Sequence, residues 1–257
     1  MSQSTDTRAK NATETKRTDV RKKRVEHLAR EEFSRKSFSY AVTAISAVFF
    51  GLVVVPAFSS AVIPLEESAR SVGWLVDFVF LAIVSILSIN VISRSYFSLY
   101  HDPFRGWLAF LRSLPVSPKE MILARSLIML PATAVLTTLF FTPIVIASAT
   151  LDSRFDAATY FWLVAIWLGY ALAAGGMNLL LELGVKGKLA LVFQFVWLAA
   201  IVAVIWLLGG NLVYSTFTLA DEYGPLVAGI SLLIGGLFFA LFAKATEKRV
   251  ASREFVV

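Results

Sequence analysis

Long apolar runs constrain this sequence more than any other feature. Each run is close to the roughly 20 residues that an α-helix needs to cross a bilayer. The runs, called spans one to six, cover residues 38–58, 74–95, 122–149, 159–181, 189–208 and 224–243. The mean hydropathy of +0.71 and the 57% of hydrophobic residues lie outside the range of soluble globular proteins. The predicted fold class is therefore all-α, a polytopic membrane protein with six transmembrane helices.

The basic residues predict the orientation of these spans. Of the 24 Lys and Arg residues, 22 lie in the N-terminal segment, in the connections at 94–125 and 182–188, and in the C-terminal tail. The other three connections hold only Arg70 and Arg154. Since cytoplasmic loops carry the excess of Lys and Arg, both termini are predicted to be cytoplasmic in a multi-pass cell-membrane protein. This distribution over loops favours contact with membrane lipids and gives no reason to expect nucleic-acid binding.

The segment before span one divides into two parts. Residues 1–19 are polar and basic with little to bury, so they are predicted to be a disordered tail. In residues 20–37, apolar side chains recur at helical spacing among cations, which predicts an amphipathic helix on the inner leaflet. We interpret this helix as an anchor in preference to a docking surface for a cytoplasmic partner. The predicted transmembrane domain is 38–246, with a cytoplasmic tail at 247–257.

The connection between spans two and three contains two predicted helix starts. Asp102 followed by Pro103 is typical of an N-cap and a first helical residue. Ser117 and Glu120 have the spacing of a capping box, with Pro118 at the first helical position of the next helix. The first of these helices has an apolar stripe formed by Phe104, Trp107, Leu108 and Leu111. Packing on lipid accounts for this stripe, but not for a rigid bend that leads directly into span three. We therefore interpret residues 101–120 as an elbow that transmits force from a cytoplasmic partner.

The same connection carries a resemblance to a known family. Residues 102–125 read D-P-F-R-G-W-L-x-F-L-R-S-L-P-V-S-P-K-E-M-I-L-A-R, and this pattern, together with the six spans and the basic lead-in helix, resembles the membrane subunits of type 2 ABC transporters. In that family, the short helix between spans two and three is the coupling helix, which contacts the ATP-binding subunit. The resemblance therefore implies that the following residues lie at or near that contact: Phe104, Arg105, Trp107, Leu108, Arg112, Leu114, Pro115, Ser117, Lys119 and Glu120.

The resemblance also implies the partners of this chain. An ATP-binding cassette subunit would bind ATP and Mg²⁺, and a second permease subunit, identical or related, would complete a dimeric pathway. The family often has short re-entrant helices between spans five and six, but residues 209–223 are few, so a small external cap at most is expected.

The sequence contains no complete motif for nucleotide binding, metal binding or proteolysis. The string at 184–188 lacks the spacing of a phosphate-binding loop, and His27 and His101 both lie outside the predicted spans. The Glu66–Arg70 segment is one residue short of a membrane-protease motif. We therefore expect a chain that is not an enzyme, with no catalytic, cofactor-binding or metal-binding residues of its own.

A few polar residues at depth are candidates for the wall of a pathway: Ser85, Ser88, Asn90 and Gln194. Hydrogen bonding between helices is the commoner role of such residues and stays open as the alternative. Buried charge is expected to be nearly absent, because Asp77 and Glu182 lie at the ends of their spans. This absence favours an amphiphilic or hydrophobic cargo over an inorganic ion.

A stripe of small residues, Ala165, Gly169 and Ala173, allows another helix to approach span four closely, either from this chain or from a second subunit.

The leading hypothesis is that the chain is the permease subunit of an ATP-driven exporter. The alternatives are a membrane anchor or assembly factor without transport activity and, with less support, an intramembrane enzyme.

Overall fold

A computed structural model describes residues 3–62, 73–88, 116–149, 157–185, 187–207, 209 and 212–252. All regular secondary structure in these residues is helical, which confirms the all-α prediction. The α-helices are α1 (Gln3–Val62), α2 (Gly73–Leu87), α3 (Pro118–Ala149), α4 (Ala157–Leu179), α5 (Gly187–Leu207) and α6 (Leu212–Ser252). A π-helical turn, Leu180–Gly184, continues α4.

Several of these helices have the length and composition of membrane spans. Among the described residues, four candidates are found: Lys36–Pro56, Pro118–Ala147, Ala157–Gly184 and Leu212–Ser252. Two further helices, Gly73–Leu87 and Val192–Leu207, are apolar but shorter. The polytopic membrane architecture is thus confirmed, and the count of six spans stays a prediction. Part of the predicted second span, residues 89–95, lies outside the described residues.

Helix α1 is a single helix that extends from Gln3 to Val62. It runs through the segments that the sequence analysis divided into a tail (1–19) and an interfacial helix (20–37), and that division stays a prediction. The physical reason for the single helix is that no glycine or proline occurs between residues 3 and 50. Once a helix has formed, each further residue adds to it at little cost, and nothing in this segment terminates it.

Helix α2 lies at the centre of the bundle, where aromatic side chains from three helices meet. The Phe80 ring packs edge-to-face on Phe140 of α3, and its centroid lies 5.6 Å from that ring and 5.6 Å from Trp167 of α4. Phe80 and Phe140 are completely buried. These contacts join α2, α3 and α4 through large apolar surfaces, which pack well in edge-to-face geometry.

Helices α4 and α6 approach each other backbone to backbone. A Cβ atom added at Gly176 would lie 2.7 Å from the Cα atom of Phe239, and Gly169 lies directly against Ser231 and Gly235. The Ser231 hydroxyl donates a hydrogen bond of 2.7 Å to the carbonyl of Ile166. The neighbour that the small-residue stripe was predicted to accommodate is therefore α6 of the same chain.

Helix α6 contains a kink that divides it into a short first segment and a long second one. Tyr223 has non-helical dihedral angles (φ −130°, ψ 24°), and Pro225 follows within the next turn. Proline removes a backbone donor, so a break at this place is expected. The kink lies one residue before the predicted start of span six at 224. The described part of the expected cap, residues 212–222, is helical.

The two ends of the bundle differ in charge. At one end, called the basic end, the first half of α1 meets the start of α3, the π-helical turn and the end of α6 through apolar contacts that include Leu28, Met121, Leu183 and Val250. At the other, called the far end, the start of α2 meets the start of α6.

Candidate functional site

The start of α3 at the basic end has the predicted capping box. The Glu120 amide donates to Ser117 Oγ at 3.3 Å, and the Ser117 amide donates to Glu120 Oε2 at 2.9 Å. Pro118 is the first helical residue, where its missing N–H costs nothing. Both side chains of the box thus satisfy backbone donors that would otherwise have no partner. The prediction of a helix start here is confirmed, and Lys119 lies exposed beside it.

Glu120 also joins this start to α1. Its Oε1 atom lies 3.5 Å from Arg21 Nε, and its carboxylate is almost completely buried. One turn further along α1, Val25 and Ala29 are buried against Ala124 and Ile128 of α3. These two residues of α1 belong to the apolar stripe that was predicted to lie on the inner leaflet. In the structure they pack on α3. The contact gives the first half of α1 a fixed position beside the start of α3.

A buried arginine, Arg125, lies about one and a half turns beyond Glu120 on α3. The Arg125 side chain is nearly inaccessible to solvent, and its Nη2 atom donates to Glu182 Oε1 and Oε2 at 2.8 and 2.9 Å. Its Nη1 atom donates to Glu32 Oε1 of α1. Guanidinium is well suited to this task because its fixed fork of donors serves two carboxylates at once. One side chain thus joins α1, α3 and the π-helical turn.

The charges around Arg125 balance. Lys36 Nζ lies 3.0 Å from Glu32 Oε1, so the group that we call the ion cluster contains two cations and two carboxylates: Glu32, Lys36, Arg125 and Glu182. Burial alone would raise the pKa of Glu32, but Arg125 and Lys36 together outweigh burial, and the pKa is lowered below its usual 4.5. Glu32 is therefore ionised at neutral pH.

The π-helical turn at the end of α4 supplies one carboxylate of the cluster. It spans Leu180–Gly184, and Glu182 within it is buried. The turn is held from the other side by α6, since a Cβ atom added at Gly184 would lie 3.3 Å from Arg249 Cβ. Wide turns of this kind are rare and are frequent at functional sites.

The ion cluster corrects one prediction from the sequence. Buried charge was expected to be nearly absent, yet Asp77, Glu120, Arg125 and Glu182 are all buried. Their side chains lie towards the ends of helices, so the prediction failed because helix ends can be enclosed by neighbouring helices. The sequence did hold a signal. Arg125 lies four residues inside an apolar run, and a cation in that position requires a carboxylate partner.

Most of the predicted coupling residues cannot be placed against this geometry. Of the ten, only Ser117, Lys119 and Glu120 are among the described residues. The other predicted contact residues lie outside the described residues: Phe104, Arg105, Trp107, Leu108, Arg112, Leu114 and Pro115. Their role at a partner contact stays a prediction.

A polar network joins α2, α4 and α5 near the middle of the bundle. Ser85 Oγ lies 2.5 Å from the Tyr170 hydroxyl, which donates to the Leu81 carbonyl at 3.0 Å. The Asn178 amide donates to Ser88 Oγ at 2.8 Å, and Trp197 Nε1 donates to Ser85 Oγ at 3.4 Å. These bonds correspond to the helix–helix alternative that the sequence left open.

The network bears on the predicted pathway lining without testing it. Ser88 is completely buried, and Ser85 is half-buried between helices. Gln194 is half-buried on α5, and Asn90 lies outside the described residues. Tyr170 and Trp197 were not singled out from the sequence, where each is one aromatic residue among many in an apolar run. That these four residues line a path stays a prediction.

At the far end, a buried carboxylate caps the start of α6. Asp77 of α2 accepts hydrogen bonds from the backbone amides of Leu212 at 2.7 Å and Val213 at 2.8 Å. The first turn of a helix has free N–H groups and a partial positive charge, both of which a carboxylate satisfies. Thr159 of α4 adds a hydrogen bond of 3.2 Å to Asp221. The first segment of α6 is thereby held on α2 and α4.

Comparison with known families identifies the architecture. The family model described as ABC-2 family transporter protein matches residues 69–242, which is more than half of the chain. No curated protein and no solved structure matches the sequence significantly. The matched residues include the capped start of α3 and both Arg125 and Glu182 of the ion cluster. Members of this family are membrane transport subunits that carry no catalysis themselves. The chain therefore belongs to the ABC-2 transporter family and is a multi-pass membrane subunit of a transporter.

Proposed function

We propose that this chain is the permease subunit of an ATP-driven exporter. Separate ATP-binding cassette subunits bind ATP and Mg²⁺ and supply the energy. Two copies of the chain, or one copy and a related chain, form the pathway. The six predicted spans place both termini in the cytoplasm, so the basic end of the bundle faces the ATP-binding subunit.

One observation carries this proposal beyond the family match. A helix start with a complete capping box, at Ser117 and Glu120, is continuous with a helix long enough to cross a membrane. A capped start resists fraying, so a displacement applied there moves the whole of α3. The predicted elbow at 101–120 leads directly into this start. A cytoplasmic subunit that closes on ATP would press on the elbow, and α3 would carry the displacement into the bilayer.

The cargo class follows from the interior of the bundle. The described buried charges are paired with each other or with backbone amides, as for Arg125, Glu182 and Asp77. An ion pathway needs charged or carbonyl ligands open to the passing ion, whereas the remaining interior offers hydroxyl, amide and aromatic groups. An amphiphilic or hydrophobic cargo fits these groups best.

The experiment uses the ATP-binding cassette subunit that is encoded beside this chain or copurifies with it. The two proteins are reconstituted in nanodiscs of phosphatidylethanolamine and phosphatidylglycerol, and Mg·ATP hydrolysis is compared with that of the free ATP-binding subunit. The permease is expected to change the hydrolysis rate severalfold. The double variant Trp107→Asp/Leu108→Asp, in the predicted coupling helix, is expected to insert normally and to lose that change. Leu127→Ala, at an exposed position on α3, is the matched control.

The alternatives give different results. A membrane anchor or assembly factor would bind the ATP-binding subunit and leave its hydrolysis unchanged. If the Trp107→Asp/Leu108→Asp variant alters hydrolysis as strongly as the wild type, the elbow is not the coupling element. If the wild-type chain neither binds the subunit nor changes its activity, the proposed function is refuted.

A further inference from the structure

We propose that Arg125 is a positioning residue that makes α1, α3 and the end of α4 move as one rigid unit when the elbow is displaced. The inference rests on the proposed function, because it assigns the residues that pass the displacement on from the elbow. The family match begins at residue 69, after the end of α1, and it assigns no role to the ion cluster. The coupling prediction includes neither α1 nor the cluster. The geometry of the ion pairs points to that role.

The ion pairs connect α3 to both of its neighbours close to the elbow. Glu120, at the capped start, lies 3.5 Å from Arg21 of α1. Arg125 then binds Glu32, further along α1, and Glu182 at the end of α4. Two points of attachment to α1 prevent it from pivoting about either one. The third attachment joins α4 to the same pair of helices.

Apolar contacts at the same place do not fix the relative position of the helices as firmly. Val25, Ala29 and Ile128 pack between α1 and α3, but apolar contacts are non-directional, and helices slide past each other with little change in buried area. The planar guanidinium of Arg125 fixes its two Nη atoms relative to each other, with Nη1 on Glu32 and Nη2 on Glu182, so the two carboxylates can be bound at once in only one arrangement. Because the cluster is buried, a slide that separated Arg125 from Glu182 would leave both charges without a partner in a medium of low dielectric constant. The ions therefore set the register.

The π-helical turn explains how the end of α4 takes part. A π-helical turn contains one residue more than the same length of α-helix, which rotates every side chain after the insertion by about 100° around the helix axis. Glu182 lies inside this turn, and its carboxylate binds Arg125. The wider turn and the ion pair therefore occur at the same place in the chain, and the end of α4 joins the cluster through the turn.

The test replaces Arg125 together with both of its carboxylate partners, so that neither carboxylate is left buried without its cation. The triple variant Glu32→Gln/Arg125→Met/Glu182→Gln replaces the buried ions with neutral side chains of similar size, and Lys36, whose side chain is 30% exposed, keeps contact with water. Replacing a buried ion group as a whole costs less than removing one partner from it. The control variant Lys22→Met breaks an exposed ion pair with Glu26 that lies within α1 alone. Both are reconstituted with the ATP-binding subunit in the nanodiscs described above.

Two measurements follow, one of movement and one of coupling. The chain has no cysteine, so spin labels at Lys23→Cys of α1 and Leu123→Cys of α3, both exposed, report the distance between these helices by electron paramagnetic resonance, and singly labelled samples identify any distance between two copies of the chain. In the wild-type background this distance is expected to be the same with and without Mg·ATP, because the two helices move together. In the triple variant it is expected to shift or broaden when Mg·ATP is added. The permease-dependent change in ATP hydrolysis is expected to fall about fivefold or more.

The outcomes separate this inference from the proposed function. If the wild type changes ATP hydrolysis and the triple variant does so equally, with an unaltered distance in both states, the role of Arg125 is refuted and the proposed function stands. If the wild type itself has no effect on hydrolysis, the proposed function fails first. Should the triple variant not assemble, Arg125→Lys serves instead. It keeps the charge but not the pair of fixed nitrogens that bind Glu32 and Glu182 at the same time, and a full wild-type response from it would equally overturn the inference.

Discussion

The buried Asp77 carboxylate at the far end allows a quantitative prediction. In Asp77→Ala, the amides of Leu212 and Val213 lose both of their hydrogen bonds to a charged acceptor. Each such bond contributes about 1.5–3 kcal/mol, and water that reaches the cavity recovers part of that amount, so we expect a loss of about 3 kcal/mol. Asp77→Asn keeps one acceptor oxygen and loses the charge, and we expect about half that loss. The loss is local, because the kink at Tyr223 separates this turn from the rest of α6.

Amide hydrogen exchange followed by mass spectrometry measures this loss where it occurs. At 1.4 kcal/mol for each factor of ten, exchange in the peptide that covers residues 212–222 should become about a hundredfold faster in Asp77→Ala. The peptide that covers residues 118–130 should be unchanged. Ser46→Ala is the control, since the Ser46 hydroxyl donates only within its own helix, to Val42. Unchanged exchange in residues 212–222 of Asp77→Ala would refute the assigned cap.

Three further predictions concern the rest of the bundle. Gly176→Leu should force α4 and α6 apart and lower the free energy of unfolding by about 1–3 kcal/mol or more, whereas Gly229→Leu, where an added Cβ meets nothing within 4 Å, should be nearly neutral in the same thermal unfolding assay. Ser117→Ala should cost about 1 kcal/mol and speed amide exchange in the first turn of α3. Folding lowers the pKa of Glu32 below 4.5, so the ionised carboxylate stabilises the fold fully above pH 4.5 and this stabilisation is lost as the pH falls through the pKa of the folded state. Glu32→Gln should therefore be less stable than the wild type at pH 7. The difference in stability between the two proteins should narrow below pH 4.5.

The features of the fold that the sequence predicted well are those set by local interactions. Apolar runs of bilayer length marked the helices, because lipid requires each segment to satisfy its own backbone. The helix start at Ser117 was predicted to the residue, since a capping box involves only side chains three positions apart. The kink at Tyr223 was not predicted, although Pro225 is a local signal of the same kind. None of these features depends on what another helix contributes.

The ion cluster could not be predicted in the same way, because its members come from separate helices. Glu32 and Glu182 are 150 residues apart, and which of the many carboxylates approaches Arg125 depends on how the helices pack. The π-helical turn left no mark in the residues Leu180–Gly184, where the sequence predicted only the end of span four at 181 and a connection from 182. The length of α1 was not foreseen either, because polar composition and the absence of glycine and proline point in different directions for the first 19 residues.

These results change where force is expected to enter the bundle. From the sequence, the elbow passes its displacement to the spans that it links, and the basic N-terminus is interpreted as an anchor. With α1 bound to the start of α3 through Glu120 and Arg125, a displacement of α3 is expected to move α1 with it. Any cytoplasmic subunit that contacts either helix then acts on both. A partner contact on the first half of α1 would therefore influence transport as directly as one on the elbow, and truncation of α1 before Glu32 should weaken coupling without preventing insertion of the spans.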